Sequence, residues 1–150
     1  MIQSPRRRVA SLKGDVTMRQ TLLALSLSLM VGTAAHSQDN PIATTITDQI
    51  TALMADDFDT AFSYASPNIK RLFGTPERFG QMVREGYPMI YRPAEVTMLG
   101  QQTLSGRVVQ RVMIRDQNGR LHMLGYQMIE TDAGWQINGV QLLRVPEMGA

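Results

Sequence analysis

The sequence predicts an α+β fold: N-terminal helices packed on one face of a four-stranded antiparallel sheet. Three observations carry the prediction. Apolar residues recur at helical spacing between residues 41 and 92. From residue 93 to 145 the period changes to that of strands, punctuated by turn pairs. Helices therefore come first and strands second, the order of a segregated helix-on-sheet architecture.

The first helix is expected from about Ile42 to Ala55, where Ile42, Ile46, Ile50, Leu53 and Met54 form one apolar stripe. Asp56-Asp57 interrupts it, and Asp57 is placed to cap a short second helix that turns Phe58, Ala61, Phe62 and Ala65 to one side. Ser66-Pro67 and Thr75-Pro76 mark two further helix starts. In each a hydroxyl caps an orphan backbone N–H, and the proline at the first helical position has no N–H to leave unpaired. Gly74 suits a left-handed helix stop between them. The helix opened by Pro76 is expected to reach about Gly86, with Phe79, Met82 and Val83 inward. Because a proline pushes the preceding residue out of the helical region, the stretch Tyr87 to Pro93 reads as an extended connector.

Strands are expected at Ala94–Leu104, Arg107–Asp116, Arg120–Glu130 and Trp135–Arg144, separated by Ser105-Gly106, Asn118-Gly119 and Asp132-Ala133-Gly134. With Asn118-Gly119 as a two-residue hairpin loop, Gln117 faces Arg120, Ile114 faces Met123, Val108 faces Ile129 and Arg107 faces Glu130. Neither face of the resulting sheet is cleanly polar, although a sheet with one buried face should alternate. Three arrangements would cover the second face: curvature within the monomer, a sheet-to-sheet homodimer, or a bound apolar ligand.

Length and charge set the domain organisation. The chain has 150 residues, no cysteine and a formal charge of +2. That length makes one domain, and the absence of cysteine excludes disulfides and cysteine-ligated zinc or iron–sulfur centres. Arg19, the apolar run Leu22–Val31 and the small residues that follow have the three-part pattern of a secretory signal peptide over residues 18–37. Its run of about ten residues falls short of the roughly 20 a membrane span needs. Cleavage is expected near Ser37 or Ala35. Residues 1–17, before Met18, read as an upstream extension. The first 37 residues hold five bases and one acid, so their removal changes +2 to −2. The remaining bases are scattered, which argues against nucleic acid as a partner, and localisation is expected to be periplasmic or secreted, without a membrane anchor after cleavage.

The run Ala65-Ser66-Pro67-Asn68-Ile69-Lys70, with Phe73-Gly74, Phe79, Met82-Val83 and Gly86-Tyr87, resembles the bacterial family called domain of unknown function 4864. The ending Gly134-Trp135-Gln136-Ile137-Asn138-Gly139-Val140 resembles the last strand of cone-shaped folds of the nuclear-transport-factor-2-like (cystatin-like) class. The resemblance spans about Ile42 to Leu143. It implies a long curved sheet and a cavity between helices and sheet, and it supplies no catalytic residues.

The residues themselves offer little chemistry. His122 is the only histidine after the leader, so no usual zinc site can form, and no metal or other cofactor is expected. There is no nucleophile elbow and no phosphate loop. Acid–base chemistry of the isomerase or cyclase kind would need a desolvated carboxylate facing a hydrogen-bond donor. Asp56, Asp57, Tyr64, Tyr87, Tyr91, His122 and Tyr126 are the residues from which such a pair could be drawn. The reading that leads is binding or assembly without catalysis. It places Tyr64, Tyr87, Tyr91, His122 and Tyr126 as candidate cavity residues and takes a small apolar ligand or protein partner. Methionines at 54, 82, 89, 98, 113, 123 and 128 would make that lining adaptable.

Overall fold

A computed structural model describes residues 40–145. The predicted signal peptide and upstream extension lie outside the described residues. Five helices precede four strands: α1 (Pro41–Met54), α2 (Phe58–Ser63), α3 (Pro67–Phe73), α4 (Pro76–Gly86), α5 (Pro88–Tyr91), then β1 (Glu95–Leu104), β2 (Arg107–Arg115), β3 (Leu121–Thr131) and β4 (Gly134–Leu143). The strands form one antiparallel sheet in the order β1-β2-β3-β4. The α+β arrangement expected from the periodicities is the one observed.

Capping explains the helix boundaries. Asn40 Oδ1 accepts from the Ile42 and Ala43 N–H groups, Asp57 from Thr60, Ser66 from Ile69 and Thr75 from Arg78. Three of these caps precede a proline that starts the helix. Gly74 ends α3 with φ of +78°, where a side chain would be strained. The core is one cluster built from α1 (Ile42, Ile46, Ile50, Leu53), α2 and α4 (Ala61, Phe62, Phe79, Val83) and the helix-facing side of the sheet (Val112, Ile114, Leu124, Tyr126, Met128, Ile137).

Two expectations are corrected. The stretch after Tyr87 is not extended: Pro88–Tyr91 makes a single helical turn. Tyr87 and Arg92, each preceding a proline, do leave the helical region, at φ −136° with ψ 56° and 68°. Four residues between them suffice for a turn, closed by bonds from the Ile90 and Tyr91 N–H groups to the Tyr87 carbonyl.

The hairpin register is shifted by one residue. Ile114 faces His122, not Met123, and Val108 faces Met128. The loop has three residues, because Asp116 pairs with Arg120 through its backbone N–H. Asp116 Oδ1 accepts from the Asn118 and Arg120 N–H groups, both at 2.9 Å, and only Gly119 adopts positive φ, at +81°. A side-chain-stabilised turn followed by a left-handed glycine thus replaces the two-residue loop. Such a slip exchanges the faces of a strand. Leu124, Tyr126 and Met128 lie with Val112 and Ile114 under the helices, and Met123 and Gly125 lie on the open side with Val109 and Leu143.

Candidate functional site

The described residues line a partly open apolar cavity of about 210 Å³ between the helices and one edge of the sheet. Ile137, Gly139 and Val140 of β4 form its floor, Phe79, Met82 and Val83 of α4 one wall, and Ile69, Leu72 and Phe73 of α3 the other. The wall is fixed by ring packing: Phe79 lies 5.4 Å from Phe62 and 5.9 Å from Phe73, centroid to centroid.

The position of α3 over this space follows from an irregularity in β4. Pairing with β3 steps from Gln127–Gly139 to Met128–Ile137, so Asn138 is an extra residue. Beside it the outer edge of Ile137 is taken up by the junction between α2 and α3. Ile137 N–H donates to the Tyr64 carbonyl at 2.9 Å, and Ser66 N–H donates to the Ile137 carbonyl at 2.8 Å. The Ser66 hydroxyl caps α3 and also bonds Asn138 Oδ1 at 2.8 Å. One end of α3 is therefore anchored to the sheet, and Gly74 marks the other. Within α3 no residue is fully buried, and Leu72, at the cavity rim, is 71% exposed.

Among the described residues only two polar side chains line the cavity, and both are engaged. Gln49 donates from Nε2 to the Ala61 carbonyl at 3.1 Å. Tyr87 donates its hydroxyl to the Val140 carbonyl at 3.2 Å. The described residues bring no carboxylate and no imidazole to the lining.

Of the five residues named from the sequence, Tyr87 alone lines this cavity. Tyr126 is fully buried on β3, directly opposite Gln110 of β2, and burial pushes its phenol up. Among the described residues its hydroxyl and Gln110 Oε1 have no hydrogen-bond partner. Tyr64 lies in surface depressions beside α1, its phenol raised by burial and then by Asp48.

Tyr91 belongs to a surface cluster at the end of α1. Its hydroxyl donates to Asp56 Oδ1, while Arg92 reaches Asp56 Oδ2 at 3.2 Å and Arg84 reaches Oδ1 at 3.5 Å. The Tyr91 hydrogen bond, followed by Arg92 and Arg84, holds Asp56 below the usual carboxylate range. Arg92 also caps the carbonyls of Leu53 and Met54, at 3.2 and 2.7 Å, and lies 4.1 Å over the Tyr91 ring. His122 sits at the hairpin, its Nε2 2.8 Å from Asp116 Oδ2. That bond, first among several, lowers Asp116. These groups clasp turns and helix ends and do not meet in one site.

Sequence reasoning did not bring Ile69, Leu72 and Gly139 to the cavity. Ile69, Leu72 and Phe73 have helical i, i+3, i+4 spacing, a signal that α3 has an apolar side, but not of what lies beneath it. Among the described residues no three His, Cys, Asp or Glu side chains gather as a metal site would require. No described helix is long and apolar enough to cross a membrane.

A family profile described as domain of unknown function (DUF4864) matches residues 35–150. The chain belongs to that family. The DUF4864 match runs through every element that builds the cavity, including the capped starts of α3 and α4. Neither the curated proteins nor the solved structures contain a match to the chain.

Proposed function

We propose that this DUF4864 chain is an exported, non-catalytic module that holds a small apolar molecule between α3, α4 and β4. The observation that carries the reading is the lining: apolar throughout except for two polar side chains that already have protein partners. An acid–base reaction would need a carboxylate or imidazole on that wall, and Asp56 and His122 are engaged elsewhere.

Size narrows the ligand. A cavity of about 150 Å³ lined by Leu, Ile and Phe stays dry and takes benzene, and pockets for drug-sized ligands start at about 300 Å³. A space of about 210 Å³ fits a one- or two-ring or short-chain molecule. The exposed Leu72 at the rim provides apolar surface for entry.

The test is thermal unfolding of the protein with toluene or indole added. At a hundredfold excess over Kd, binding adds about 2.7 kcal/mol, a rise of roughly 10 °C in Tm for a domain this small. Ile69→Trp, which places an indole in the cavity mouth, should abolish the rise while retaining the far-UV spectrum. A Tm that none of these probes moves overturns the reading. Export is tested separately by the mass of the protein recovered from the periplasm, expected to begin at Gln38 or His36.

A further inference from the structure

The open face of the sheet, opposite the cavity, has a different chemistry. Arg107, Arg111 and Arg115 recur at every fourth residue of β2 and so share that face. Glu95 is the one acid on the β1 positions beside them, and it pairs with Arg115 at 3.1 Å. Among the described residues Arg107 and Arg111 have no carboxylate within ion-pair reach. Arg111 lies along the sheet towards Gly100, with its Nε buried and lacking any hydrogen-bond partner.

Beside these arginines lies a depression of about 360 Å³, lined by Val109, Leu143 and the carboxamides of Gln102, Gln127 and Gln141. Val109 and Leu143 close over Gly125 to make its aliphatic floor: a Cβ on that glycine would come within 3.2 Å of both side chains. The face therefore combines positive charge unpaired among the described residues, an aliphatic dip and amide groups that both donate and accept.

We propose that this face docks an extended acidic segment of a partner protein. One carboxylate would bind Arg107, which lines the dip, in the fork geometry a guanidinium favours, and a second, four residues further along the extended segment, would meet Arg111. A neighbouring aliphatic side chain would rest on Val109 and Leu143 in the dip, and the glutamines would bond the segment's backbone amides. Charge complementarity selects this occupant over a second copy. Two-fold self-association would set the same arginine column against itself. The carboxamides of the dip favour a peptide over an anionic lipid surface, which has no backbone amides to pair with them.

The experiment titrates a fluorescent nine-residue peptide of alternating glutamate and leucine against the leaderless protein, with the lysine–leucine peptide as control. Saturable binding of the acidic peptide alone, weakened at least tenfold by Arg111→Gln and by Arg107→Glu, is expected. Ile69→Trp, on the other side of the sheet, should leave it unchanged, so its failure and that of the cavity reading are distinguishable. Amide shifts on the unaltered protein should move at Val109, Gly125, Gln127 and Leu143. Shifts confined to the helices, equal binding of the basic peptide, or binding only to anionic vesicles overturns the proposal. So does a dimer in sedimentation that occludes the face.

Discussion

At the scale of single residues, Gly80 shows how little of a side chain's fate is visible locally. A glycine inside α4 costs about 1 kcal/mol relative to alanine, yet a Cβ at this position would lie 2.5 Å from the Phe58 ring. Gly80→Ala should therefore destabilise by about 1–3 kcal/mol, as overpacking does. In a Phe58→Ala background the same change should become neutral or stabilising. Urea unfolding of the four proteins of that cycle reads the sign directly. Tyr126 makes the opposite case. Its buried hydroxyl lacks a partner among the described residues, so Tyr126→Phe removes an unsatisfied group and should be neutral or stabilising by up to about 1 kcal/mol. The phenol is raised in the folded state. Stability is then fully present below about pH 10, the ordinary tyrosine value, and falls above it as the unfolded chain ionises first. Tyr126→Phe should flatten that alkaline loss in denaturation midpoints measured from pH 9 to 11. At the acid end Asp56 and Asp116 are both lowered. Their contribution is present above about pH 4 and is lost as pH falls through the depressed folded values. Asp116→Asn should reduce that loss.

At the scale of elements, the legible and the illegible parts divide along a physical line. Caps, prolines and glycines act on their own neighbours, so Asp57, Ser66-Pro67, Thr75-Pro76 and Gly74 marked the helix ends correctly. Four strands were readable because turn residues separate them. Register was not, because Asn118-Gly119 competes with the upstream carboxylate of Asp116, whose two backbone bonds select the longer loop. One residue of difference puts Leu124, Tyr126 and Met128, not Met123 and Ile129, on the face of Val108, Val112 and Ile114. The cavity was less legible still. It depends on an extra residue, Asn138, that holds Ser66 and therefore α3 in place, and no periodicity announces a bulge. Ser66 is fully buried and bonds both ways. Ser66→Ala should cost about 1–2 kcal/mol, the upper range for a lost N-cap. It should also shrink the thermal response to toluene, because α3 then loses its anchor.

At the scale of the whole molecule, these contacts distribute stability unevenly, and the unevenness falls on the cavity. The centre of the sheet is fully buried at Val112, Ile114, Leu124 and Tyr126. Such strands open only when the molecule unfolds globally. In α3, by contrast, no residue is fully buried, and the helix is too short to persist alone. It is held by the Ser66 junction at one end and by the partly covered Ile69 and Phe73. Local opening of α3 therefore costs much less than global unfolding, and it uncovers the apolar wall through which a ligand would pass. Native-state hydrogen exchange should show α3 amides exchanging by a sub-global route that depends little on urea, while β2 and β3 amides follow the global transition. A ligand seated against Ile69 and Phe73 should bring α3 protection towards that of the sheet. If α3 is already as protected as β3 in the free protein, entry through α3 is ruled out, and the path must instead run beside the exposed ends of α4 and β4.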